Sequence, residues 1–298
     1  MKGAKGLKGA KGAKSVKSGT LTVATCQFAV GASIEENAKN ICGFLHRAKE
    51  ARAEIVHFSE CALSGYAGTD FETLDDYDWP LLRTETRKIM DLAGRLGLWV
   101  VLGSTHPLTE PHKPHNCLYL IDAKGRIADR YDKRFGTPGD LEHYTPGDRF
   151  VTFTLNGVHC ALLICFDLRF PELYRELYKR GVQCVFQSFY NARQEGPSVH
   201  THIMRQTMQC HAATNFCWVS MANSSAYYSP YPSCLIQPDG VIAGQLTDNE
   251  PGMLVSAVDL SREFYDPMKD FRDLAVAGRL TNGPGPLDDP RSRNTTDL

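Results

Sequence analysis

The chain has 298 residues, 42% of them hydrophobic, with a formal charge of −1; that length suffices for a large core, and the balance excludes a broad cationic surface for nucleic acid. Six of the positive charges are lysines between Lys2 and Lys17, so taking those six from −1 leaves −7 on residues 21–298, a mildly acidic body. The longest apolar runs are only strand-length, which excludes a membrane-spanning helix, and no secretory-type apolar segment is read at the start, so a cytoplasmic setting is expected.

Residues 1–20 repeat Lys-Gly-Ala-like triplets without an acid or an aromatic. Such a composition buries too little surface to offset the entropy of ordering, so a disordered tail is expected. It would serve as a solubilising extension or as a weak anchor to polyanions. Leu21–Val30 then reads as a strand. Ser33-Ile34-Glu35-Glu36 has the pattern of a capping box, opening a helix with Ala38, Ile41, Leu45 and Ala48 at helical spacing. Glu54–Phe58 predicts a second strand, Thr84–Leu96 a helix stopped by Gly97, and Leu98–Gly103 a third strand. The chain therefore opens βαβαβ.

Asn116–Asp122 and Ile127–Tyr131 read as a hairpin about Ala123-Lys124-Gly125, which makes the sheet mixed rather than purely parallel. A Gly- and Pro-rich loop spans Phe135–Asp148. Val151–Leu155 and Val158–Ile164 flank Asn156-Gly157, a strong two-residue turn signal. Pro171 suits the first turn of a helix that carries Leu173 and Leu177 to Gly181. A strand at Gln183–Ser188, a helix at Val199–Thr214, a strand at Phe216–Met221 and a last hairpin around Pro238-Asp239-Gly240 follow. The alternation implies an α/β layered fold of one domain over residues 21–282, with a Pro-, Asp- and Arg-rich tail over 283–298.

Ten cysteines lie scattered through apolar stretches with no CxxC spacing, as reduced buried thiols do. Cys165 stands apart because an apolar strand delivers it to a strand-to-helix corner, where a nucleophile is exposed and backbone N–H groups face a developing oxyanion. Cys160, in the same strand, reads as a core residue. His200, His202 and His211 force no metal triad, and HExxH, GxSxG, Walker and GxGxxG patterns are absent. A papain-like Cys/His pair stays open by counting, without its local signature.

Cys165-Phe166-Asp167-Leu168-Arg169-Phe170-Pro171-Glu172 resembles the nucleophile motif of the nitrilase-like carbon–nitrogen hydrolases. Upstream, Phe58-Ser59-Glu60-Cys61-Ala62-Leu63-Ser64-Gly65-Tyr66 is similar to that family's glutamate motif, and Tyr131-Asp132-Lys133-Arg134-Phe135 to its lysine motif. Three motifs in order are far more specific than one. The resemblance covers about residues 21–260. It implies a four-layer α-β-β-α sandwich with two mixed β-sheets, pairing into a homodimer or higher homo-oligomer across helices near the nucleophile, and a catalytic set of Glu60, Lys133 and Cys165 with no metal or cofactor.

The chemistry suits those residue types. A thiol is weak until it loses its proton, which a carboxylate at Glu60 would take, while an ammonium at Lys133 would favour the thiolate and, with the Phe166 N–H, hold the oxyanion. Family members often carry a second glutamate between lysine and cysteine; Glu142 is the expected residue, with Asp140 as competitor, and a solvated loop carboxylate is the plain alternative. Tyr66, Tyr190 and Asn191 follow motif-bearing strands and by resemblance line the substrate cavity, although Tyr66 would equally fill the core. Arg169 and Arg205 are suited to gripping a carboxylate; an ion pair with Asp167 or Glu172 is the competing fate of Arg169. The expected activity is hydrolysis of a small amide or N-carbamoyl compound. A nitrilase, or a non-catalytic scaffold with a polyanion-binding tail, is the alternative.

Overall fold

The computed structural model describes residues 19–193, 195 and 198–297, so the N-terminal tail expected over residues 1–20 lies almost wholly outside the described residues. The chain opens with β1 (Thr20–Gln27), α1 (Ile34–Glu50), β2 (Ile55–His57), α2 (Trp79–Leu96) and β3 (Trp99–His106). The hairpin β4 (His115–Ile121) and β5 (Ile127–Asp132) completes one run of strands, and a single-turn helix α3 (Asp140–His143) interrupts the loop after it. β6 (Thr152–Leu155) and β7 (Val158–Ile164) follow, then a 3-10 turn over Cys165–Arg169, α4 (Pro171–Lys179), β8 (Cys184–Ser188), α5 (Val199–Asn215) and β9 (Trp218–Ala222). β10 (Cys234–Ile236), β11 (Ile242–Gln245), β12 (Gly252–Asp259), α6 (Arg272–Val276) and α7 (Pro290–Arg293) end the described chain.

These strands build two six-stranded sheets, ordered β12-β1-β2-β3-β4-β5 and β11-β10-β9-β8-β7-β6. Both are mixed: β1, β2 and β3 run parallel, as do β7, β8 and β9, and the flanking pairs are antiparallel. Side-chain alternation sorts the core. Leu21, Val23, Ile55, Val101 and Leu118 face the second sheet, whereas Ala24, Cys26, Val56, Val100 and Leu102 face α1 and α2. On the far side, Leu173, Leu177, Met204 and Met208 of α4 and α5 cover the second sheet. Burying each such aliphatic side chain stabilises by about 1.5–3 kcal/mol. The result is the α-β-β-α layering.

Differences from the expected elements have local causes. α2 starts at Trp79 rather than Thr84, because Asp78 caps it by accepting from the Leu81 N–H at 2.8 Å and Pro80 suits the first turn. β12 was not foreseen as a strand; its alternation is weak, and pairing with β1 along eight residues makes it one. The Asn156-Gly157 turn does join β6 to β7, with φ of 51° and 83° at its two residues, the left-handed pair that a tight hairpin of this kind requires. After Asp259, Arg272 is buried against Asp266 and the Thr214 carbonyl, while residues 283–297 lie exposed apart from Gly283, which is half-buried. No helix among the described residues is long and apolar enough to cross a membrane.

Candidate active site

Glu60 follows β2, Lys133 directly follows β5 and Cys165 directly follows β7, so two of these residues hang from the first sheet and the third from the second. Glu60 is fully buried and Lys133 nearly so at 3% exposure. Lys133 Nζ lies 2.7 Å from Glu60 Oε1 and 2.9 Å from Asp140 Oδ2. Asn116 of β4 donates from Nδ2 to the same Glu60 Oε1 at 2.7 Å, and the Tyr190 backbone N–H donates to Oε2 at 2.9 Å. An ammonium has three N–H donors, and two are engaged here, leaving the third for another acceptor. Glu60 Oε1 has both its partners, whereas Oε2 keeps a lone pair.

Backbone geometry holds these groups in place. Cys165 sits at φ 37°, a left-handed conformation that costs a non-glycine residue energy and recurs at functional corners. The backbone of Glu60 presses on β3 at Gly103, where an added Cβ would lie 2.0 Å from the Ser59 carbonyl oxygen; only glycine permits this approach. Asp167, buried, accepts from the Ile164 N–H at 3.0 Å, the Phe135 N–H at 3.0 Å and the Tyr131 hydroxyl at 2.7 Å. It therefore ties the turn after Cys165 to the segment carrying Lys133. Phe166 belongs to the first turn of the 3-10 helix, where backbone N–H groups have no acceptor within the helix.

Charge follows burial. Desolvation pushes the Cys165 thiol well up and the Glu60 carboxylate adds to it, with Lys133 and the Tyr190 N–H opposing, so the resting sulfur carries its proton. Burial likewise raises Glu60 above the ordinary carboxylate value, against Lys133 and Asn116. Desolvation would strip Lys133 of its proton, but Glu60, Cys165 and Asp140 outweigh it and hold the ammonium. Asp140 is pushed up by burial and more strongly down by Lys133 and Tyr66, ending lowered. Thiol, carboxylate and ammonium thus stand together.

Cys165, 8% exposed, is the member of the trio on the wall of a cavity of about 510 Å³ that Tyr66, Phe166, Tyr190, Asn191 and Arg169 also line. Tyr66 and Tyr190 stack at 5.0 Å between ring centroids, and Tyr66 donates its hydroxyl to Asp140. Asn191 is fixed by the Asn223 side chain, which accepts from its N–H at 2.9 Å, and by the Tyr231 hydroxyl. Arg169 does not take the ion pair that Asp167 or Glu172 offered: both Asp167 oxygens are occupied, and among the described residues the guanidinium has no hydrogen bond or ion pair. Arg205 lies off the cavity wall, donating to Gln245 Oε1 at 3.1 Å. His211 meets the Leu168 carbonyl at 2.9 Å and stacks on Tyr174.

Glu142 is not brought to the site. Its side chain is exposed and lines a separate surface groove with Thr73, His112 and Lys113. α3 is a single turn whose Asp140 faces Lys133, and two helical steps turn the chain by about 200°, which points Glu142 outward. Asp140 takes the place against the lysine. The sequence did carry a sign of it: Thr137 and Asp140 bond reciprocally, Thr137 N–H to Asp140 Oδ2 at 2.7 Å and Asp140 N–H to Thr137 Oγ1 at 3.1 Å, a capping-box spacing. Asn116 was also missed, and its polarity at the head of an apolar strand was the available signal.

A sequence model of the carbon–nitrogen hydrolase family matches residues 22–263. An (R)-stereoselective amidase of Pseudomonas sp is 28% identical over 238 residues, 78% of this chain and 84% of that protein. An omega-amidase of Bos taurus is 26% identical over 258 residues, 82% and 90% of the two chains. Among solved structures, a mutant of the amidase from Nesterenkonia sp. AN1, described as showing covalent addition of the acetamide moiety of fluoroacetamide at the active site cysteine, superposes with a TM-score of 0.72 at 22% identity, covering 87% of this chain and 97% of that one.

Proposed function

The chain belongs to the carbon–nitrogen hydrolase family, and from that membership we propose that it hydrolyses a small amide or N-carbamoyl compound through a thioester on Cys165. The observation that carries this reading is the Lys133 ammonium clamped by Glu60 and Asp140 beside a thiol that opens on a cavity. Glu60 Oε2 takes the Cys165 proton as sulfur attacks the carbonyl carbon. The oxyanion that forms is met by the third N–H of Lys133 and the Phe166 backbone N–H. Collapse of the tetrahedral species breaks the C–N bond, and Glu60 passes its proton to the departing nitrogen, which leaves as ammonia. Water, deprotonated by Glu60, then attacks the thioester and releases the acid and the thiol.

Asp140 and Asn116 orient Lys133 and Glu60, and Tyr66, Tyr190 and Asn191 shape the substrate wall. Arg169, unpaired on that wall, favours a substrate with a carboxylate at its far end. The amidase names of the relatives support an amide over a nitrile. A reducing, cytoplasmic setting suits a chain whose ten cysteines are all free, and pairing into a homodimer is part of the same proposal. Ammonia release from matched neutral and carboxylate-bearing amides, N-carbamoyl amino acids and nitriles tests the substrate class: turnover of nitriles alone overturns it. Cys165→Ala should fold and be inert, and mass spectrometry should find the acyl adduct on Cys165 of the wild type; an active Cys165→Ala protein overturns the mechanism.

A further inference from the structure

Under the roles proposed above, the base Glu60 and the nucleophile Cys165 sit on different sheets, so the distance between them depends on how the two sheets lie against each other. Apolar packing is non-directional and holds such a register weakly on its own. The core between the sheets is built from Val23, Ile55, Val101, Leu162 and Phe186, and in its midst stands a polar chain. His57, the last residue of β2 and fully buried, reaches across to the second sheet with both ring nitrogens: Nε2 lies 2.9 Å from Ser188 Oγ on β8, and Nδ1 lies 2.8 Å from Ser220 Oγ on β9. Ser220 Oγ in turn lies 2.7 Å from Thr25 Oγ1 on β1, and Ser188 Oγ donates to the Phe58 carbonyl at 2.9 Å.

The bond from Ser188 to the Phe58 carbonyl sets the direction of the whole chain. With its proton spent there, Ser188 accepts from Nε2–H, so the neutral ring accepts at Nδ1 from Ser220, which accepts from Thr25. Every donor is used once and all four side chains are buried. Burial lowers the His57 pKa to about 3, so the ring stays neutral and this single pattern persists. Both ends of the bridge lead to the site. Glu60 is three residues beyond His57, its N–H donates to the Phe189 carbonyl at 3.2 Å, and Ser188 stands two residues before Tyr190, whose N–H holds Glu60 Oε2.

We propose that His57 is a positioning residue, a cross-sheet bridge that fixes the base-bearing end of β2 against β8 and so sets Glu60 relative to Cys165. Other hydrogen bonds also join the two sheets, from Asn156 Nδ2 to Glu54 Oε1 at 2.5 Å, from Tyr131 to Asp167 and from the Ser233 N–H to Gln27 Oε1 at 2.7 Å, but none of these three holds the end of β2 that leads into Glu60. It rests on the thioester reading, and its test is built to fail separately.

The experiment compares His57→Leu, similar in bulk and without a donor or acceptor, with His57→Gln, whose amide can donate to Ser188 and accept from Ser220. Steady-state kinetics on an amide that the wild type turns over are paired with the pH profile of Cys165 alkylation by iodoacetamide. A misplacement of a fraction of an ångström is expected to lower kcat about 10-fold or more in His57→Leu, with KM within about two-fold. The alkylation profile moves, and His57→Gln recovers most of kcat. If His57→Leu does not fold, Ser220→Ala takes its place with the same expectations. Wild-type kcat and alkylation profile in the bridge-breaking variant, a loss that falls on KM, or equal losses in the Leu and Gln variants would overturn the bridge. Cys165→Ala, run alongside, separates the two levels: activity in that variant overturns the thioester reading, while its inertness beside an unaffected His57→Leu overturns the bridge alone.

Discussion

Asp140→Ala against Glu142→Ala is the substitution pair that separates the two carboxylates of α3. Asp140 accepts from Lys133 Nζ at 2.9 Å, from the Thr137 N–H at 2.7 Å and from the Tyr66 hydroxyl, all in buried or half-buried surroundings. Removing it leaves the buried ammonium with Glu60 as its one carboxylate partner, a loss of about 3–5 kcal/mol by analogy with broken buried ion pairs. Against the roughly 5–15 kcal/mol that a typical domain has in all, that is a fifth or more of its stability. Glu142, exposed, should cost within about 0.5 kcal/mol. Urea unfolding at pH 7 reads the first quantity, and kcat/KM for ammonia release should fall about 100-fold in Asp140→Ala because Lys133 is no longer aimed. Since the folded pKa of Asp140 is lowered, its contribution is complete above its ordinary value of 3.8 and fades as pH falls through the folded value, so the stability gap between wild type and variant should close only in strong acid. Equal damage from the two substitutions, or an Asp140→Ala protein with wild-type stability and rate, refutes this assignment.

Lys133→Met removes the proposed oxyanion donor and should lower kcat about 10²–10³-fold with substrate binding less affected, which single-turnover acylation would show. Glu60 must be ionised to act as the proposed base, and burial raises its pKa, so the acid limb of kcat/KM against pH should have its midpoint above 4.5; a limb at or below that value would remove Glu60 from the role. Gly103→Ala drives a methyl group to 2.0 Å from the Ser59 carbonyl and should displace Glu60, abolishing turnover or folding; a fully active Gly103→Ala enzyme would mean that β3 and the Glu60 turn are not in this contact.

Much of the fold was legible because strand and helix periods differ and turn residues punctuate them. The Ser33 N-cap, the Asn156-Gly157 turn and the apolar run Val158–Ile164 each state their structure locally, and the helix starting at Pro171 does so as well. Weakly patterned segments were not legible. β12 is a strand because β1 offers it an edge, and α3 is helical because Thr137 and Asp140 cap each other inside a loop that otherwise reads as Gly- and Pro-rich.

The identities and order of Glu60, Lys133 and Cys165 are properties of the chain, as is the strand that precedes each of them. Their meeting is not. Hydrogen bonds and ion pairs reach only about 3 Å; Glu60 and Lys133, 73 positions apart, come within that reach because β2 and β5 belong to one sheet, and Cys165 joins them only because the second sheet closes on the first. Tertiary structure therefore decided that Asp140 rather than Glu142 holds the lysine, that Asn116 shares Glu60, that Asp167 is spent on the turn so that Arg169 faces the cavity unpaired, and that a histidine spans the sheets beneath the site. Each of these choices turns on which way a side chain points across a gap of a few ångströms, and local sequence carries no record of what lies on the other side.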